Sequence, residues 1–147
     1  MTNLEQFFED MRQFLKLGQE KRIIYGKTFT DKYYNQVESI GVSKLEARGM
    51  LERLVAYMSA SDGEINRSEY EFCNACLFTI EADTFLKTCR KYILPNETKI
   101  LRDFAHKNYE AFGHKSYFYI IAVFIVAANN NIDVSEQKKL CNIFGIK

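Results

Sequence analysis

The run SYFYIIAVFIVAA, from Ser116 to Ala128, constrains the fold more than any other feature. A helix that is apolar on every side is satisfied only at the centre of a core or inside a bilayer. These 13 residues fall short of the roughly 20 that a membrane-spanning helix needs. A buried central helix, with the other elements packed around it, is the expected outcome.

The rest of the chain supplies helices to surround it. Apolar residues recur at helical spacing. Leu4, Phe7, Phe8, Met11, Phe14 and Leu15 form one stripe, stopped at Gly18, and Phe29, Tyr33, Val37 and Ile40 form a second, stopped at Gly41. The stretch between them, Gln19 to Lys27, reads equally as helix or loop. Ser43 and Glu46 make a capping box that opens a helix along Ala47, Leu51, Leu54, Val55 and Met58. Further stripes follow at Tyr70, Cys73, Leu77 and Ile80, then at Ala82, Phe85, Leu86, Cys89 and Ile93, where Pro95 intervenes. Leu101, Phe104, Ala105, Asn108 and Phe112 make another, and Leu140, Ile143 and Phe144 the last. No alternation of period two is present, and one proline and seven glycines leave little material for hairpins. The expectation is a single all-α domain, residues 1–147, of seven to eight helices. Its 12 Phe and 9 Tyr are ample for a core.

One loop is written twice. SASDGEINRSE (Ser59–Glu69) returns as AANNNIDVSE (Ala127–Glu136), and an offset of 67 residues aligns Ile65 with Ile132 and Glu69 with Glu136. Apolar helix precedes each copy and helix follows it. The unit is a helical hairpin, and two such hairpins can bury their apolar faces against each other about a pseudo-twofold axis. Much of the loop is helix-start grammar. Asn66 and Asp133 are good N-caps, each with Glu three positions on, and Ile65 and Ile132 sit where a hydrophobic staple lies.

Capping does not explain Asp62 and Glu64. An acid at the C-terminal end of a helix meets the negative end of the dipole, at a cost of a few tenths of a kcal/mol. Asp62, Glu64 and Glu69 also repel one another around a tight turn. A hard divalent cation with oxygen ligands would offset both effects. The second copy carries Asn129 and Asn131 at the corresponding places, so its charge is gone. The loop is not an EF-hand, which needs Gly at the sixth position and Glu at the twelfth; the twelfth from Asp62 is Cys73. A solvated, capped loop and a metal or cationic-partner site both remain open readings.

Apolar helix, then ASDGEINRSEYE, repeated in decayed form before a C-terminal helix, resembles the tellurite-resistance TerB-like family. The resemblance covers roughly residues 44–147. Residues 1–42 look like an added helical element on a core of 43–147. The resemblance implies two pseudo-symmetric helical halves, stress-associated function, and a tie to membrane-associated complexes. It implies a divalent metal at the loop acids, which carry over to Asp62, Glu64 and Glu69, with Asp133 and Glu136 from the second copy. Asn129 and Asn131 depart from that pattern, so at most one good metal site is expected.

Other chemistry is sparse. Cys73-Asn74-Ala75-Cys76 lies inside a helix on its apolar stripe and lacks a second ligand pair, so buried thiols are expected rather than a zinc or redox centre. His106 reads as lying on a polar helix face and His114 in a loop, neither beside a nucleophile. No phosphate loop or hydrolase motif occurs. With 20 basic and 19 acidic residues and no strongly one-signed segment, no nucleic-acid footprint is read. No targeting signal is read either, so a reducing, cytoplasmic setting is expected. The favoured function is a non-enzymatic module that binds a protein partner or itself. A metal-dependent enzyme built on the loop carboxylates and a purely structural or oligomeric protein are the alternatives.

Overall fold

The computed structural model describes residues 2–59, 67–78, 80–128 and 134–147, with the backbone alone of Ser59 and Glu69. Among them the fold is all-α, without a strand. The helices are α1 (Asn3–Lys16), α2 (Gly18–Glu38), α3 (Lys44–Ser59), α4 (Arg67–Cys76), α5 (Ala82–Tyr92), α6 (Pro95–Phe112), α7 (Tyr117–Ala127) and α8 (Val134–Phe144). A single 3-10 turn, Gly113–Lys115, joins α6 to α7.

The apolar run is the spindle of the molecule. Every residue from Ile121 to Ala128 is at most 2% exposed. Ser116 starts α7 by accepting from the Tyr119 amide, an N-cap that satisfies an orphan donor at the buried end. Two rings on α7 gather the surrounding helices. Phe124 meets Phe14 of α1 at 4.8 Å, Phe29 of α2 at 5.6 Å and Phe72 of α4 at 6.2 Å between centroids. Phe118 meets Tyr33 of α2, Phe104 of α6 and Phe144 of α8. Offset and edge-on pairs of this kind add roughly 0.5–1.5 kcal/mol each beyond the area they bury.

The helix starts follow their local chemistry. Thr2 and Glu5 form a reciprocal capping box on α1. The Ser43 hydroxyl accepts from the Glu46 amide at 3.2 Å. Pro95 opens α6, where its missing N–H costs nothing. Gly18, at φ +76°, supplies the left-handed residue that breaks the axis between α1 and α2.

The undecided stretch from Gln19 to Lys27 is helix, and α2 runs through it without interruption. Its buried stripe is Arg22, Gly26, Thr30, Tyr33 and Val37. Three of those five are charged, small or polar, so apolar periodicity fades just where the helix begins. Gly26 allows α4 to come close: a Cβ there would lie 3.0 Å from Cys76 Sγ and 3.1 Å from the Phe72 ring. The Cys76 thiol donates to the Ile23 carbonyl across the same crossing, at 3.3 Å. Residues 2–42 are packed against the core: Phe7, Met11, Tyr33 and Val37 belong to the same cluster as α7. On the far side, Arg53 of α3 reaches Glu97 of α6 at 2.8 Å and stacks 4.7 Å from the Tyr92 ring.

Candidate functional site

Of the five expected metal ligands, Asp62, Glu64 and Asp133 lie outside the described residues, as do Asn129 and Asn131. Glu69 falls in the first turn of α4, with its side chain also outside them. Glu136 is described. It stands in the first turn of α8, half-buried, with Oε2 shielded from solvent. Among the described residues no three His, Cys, Asp or Glu side chains gather in a metal-binding arrangement.

The surroundings of Glu136 are basic. Lys139, one turn further on α8, holds its ammonium 5.9 Å from the centre of the Tyr57 ring, buried from water. Tyr57 accepts from Asn142 and feels the charge of Arg102, while burial, the larger influence, pushes its phenol up. The second copy carries Asn129 and Asn131 where the first has Asp62 and Glu64.

A different polar cluster is fully formed, and the sequence reading passed over it. Asp10 of α1 lies under the 3-10 turn, and its carboxylate accepts from the Tyr119 hydroxyl at 2.8 Å and the Gln6 amide at 3.0 Å. His114 Nδ1 is 3.2 Å from the same carboxylate, and Nε2 is 2.7 Å from the Tyr109 hydroxyl. Burial, with Asp10 next, drives the Tyr119 phenol far above its ordinary value, and burial raises Tyr109. An Asp–His pair of this sort can orient an imidazole for base catalysis. Here both ring nitrogens are already engaged, and the group at Nε2 is a phenol held protonated. The arrangement is a polar clasp tying α1 to α6 and α7. Sequence offered one clue, an acid at position 10 inside the stripe of Phe7, Met11 and Phe14; its partner is 104 residues away.

The remaining expectations concern thiols and His106. All four cysteines are thiols, and Cys73, Cys76 and Cys89 are buried. Burial pushes Cys76 up to about 11, which makes it a poor nucleophile at neutral pH. His106 is not on a solvated face: its Nε2 is buried, close against Gly145 in the turn after α8. No helix among the described residues is long and apolar enough to cross a membrane. Comparison with protein-family models, with curated proteins and with solved structures finds no match to this chain.

Proposed function

We propose that this chain is a non-enzymatic, TerB-like helical module that works by binding a protein partner, and that its Asp62–Gly63–Glu64 loop takes one divalent cation. The observation that carries this is the asymmetry of the repeated loop. Capping residues are kept in both copies, whereas the carboxylates that capping does not require are kept in one.

In this reading Asp62 and Glu64 supply hard oxygen ligands, with Glu69 completing the set. The ion fixes the loop between α3 and α4, and the ordered loop is what a partner, or a second copy of the chain, recognises. Asp133 and Glu136 cap α8 and hold no ion. The module acts in a reducing, cytoplasmic setting, and any membrane association runs through its partner. Titration calorimetry with Ca²⁺, Mg²⁺, Mn²⁺ and Zn²⁺ tests the metal site. One ion should bind the wild-type chain, and Asp62→Asn/Glu64→Gln should lose it. If neither protein binds any of the four and their melting temperatures agree, the metal site is wrong.

A further inference from the structure

Two clefts open on either side of the turn between α2 and α3, and Val42, itself buried, lines both. The larger, about 560 Å³, runs along α2 past Asp31, Tyr34 and Glu38 to Lys44. Those three α2 residues are three and four apart, so they form one continuous face of the helix. The smaller, about 260 Å³, lies between α3 and α6, with Met50, Ile100 and Phe104 as its apolar part. Glu46, Asp103 and Lys107 complete its lining.

Among the described residues the carboxylates of this face form no ion pair. Four carboxylates (Asp31, Glu38, Glu46, Asp103) stand against two ammonium groups (Lys44, Lys107), a local −2 in a chain whose net charge is +1. None of the six forms an ion pair with a described residue; the pairs present lie elsewhere. The larger cleft already seats one cation of the chain itself: Lys44 Nζ lies 5.8 Å from the centre of the Tyr34 ring. Apolar surface accompanies the charge. Leu45, in the first turn of α3 between Lys44 of one cleft and Glu46 of the other, is 83% exposed, and Ile100 is 40% exposed. Acids beside exposed aliphatic side chains complement a segment that is basic on one side and apolar on the other.

We propose that the two clefts meeting at Val42 dock a basic amphipathic segment of a partner protein, with a lysine or arginine between Asp31 and Glu38 and apolar side chains over Leu45 and Ile100. The proposal rests on the reading of the chain as a protein-binding module and names the chemistry of the partner. It uses no residue of the metal loop, so either can fail without the other.

The test is NMR and calorimetric titration of the full chain with a synthetic amphipathic peptide of leucine and lysine. The control is the same peptide with glutamate for lysine. The basic peptide should bind and shift the amides of α2, Val42 and the start of α3, and the acidic one should not. Asp31→Asn/Glu38→Gln should weaken binding by about tenfold, and Leu45→Ser by about threefold; both sit on exposed helix surface, where folding is undisturbed. Raising NaCl from about 50 mM to about 500 mM should weaken binding further. Absence of binding, equal binding of the acidic peptide, or binding that survives the Asp31/Glu38 substitution would each overturn the surface. In the last case a binding module remains, with its docking face elsewhere.

Discussion

Asp10 carries more of the structure than its place in a polar, capped helix suggests. Its carboxylate serves Gln6, His114 and Tyr119 at once. Removing one partner of a buried hydrogen bond strands the others at about 1–3 kcal/mol, so Asp10→Ala should destabilise the chain by about 2–3 kcal/mol in urea unfolding. Asp10→Asn, which keeps an acceptor, should cost about half as much. Equal, negligible effects would show that the clasp is ornamental. Asn108 makes the opposite case. Its side chain is wholly buried; Nδ2 donates to the Phe104 carbonyl, while Oδ1 meets no donor. Leucine there forfeits one hydrogen bond and removes an unsatisfied acceptor, so Asn108→Leu should leave stability within about 1 kcal/mol of wild type, in either direction. A loss above about 3 kcal/mol would mean the carbonyl is bonded after all.

Among the elements, α7 and the α2–α4 crossing decide the packing. Phe124 touches rings from three helices, and Phe124→Ala should cost about 3–5 kcal/mol by thermal or urea unfolding. Gly26→Ala sets two effects against each other. Helix propensity favours alanine by up to about 1 kcal/mol, but the new methyl would meet Cys76 and Phe72 at 3.0–3.1 Å. Overpacking at such distances costs roughly 1–3 kcal/mol, so the variant should be less stable. The apolar rings of α7 were legible from the sequence because that helix needs no partner to reveal its burial. The first half of α2 was not, because Arg22, Gly26 and Thr30 bury polar or small groups whose partners are distant. His106 misled for a similar reason: its ring is covered by Gly145, a residue of another element. The clasp around Asp10 was hidden because its members lie on separate elements, and no local spacing announces a contact between residues 104 apart.

At the scale of the molecule, buried protonated groups set its response to alkali. Tyr33 and Tyr119 are held well above the ordinary tyrosine value by burial, and Cys76 rises to about 11 from 9.0. Each is neutral in the folded chain where the unfolded chain would already ionise. Their stabilisation is thus complete below the unfolded values, and it is lost as pH climbs from about 9 to 11 and beyond. A urea midpoint that is flat to about pH 9 and falls steeply by about pH 11 is expected; one that holds constant through that range would contradict the burial of these groups.

The central claim is that one copy of a duplicated loop kept a function and the other kept only its caps. Paramagnetic Mn²⁺ added to isotopically labelled protein tests it directly, because the ion broadens the amides nearest to it. Broadening should be strongest at the end of α3 and the start of α4, clearly weaker at the start of α8, and lost in Asp62→Asn/Glu64→Gln. Equal broadening at the starts of α4 and α8, or none at either, would contradict it.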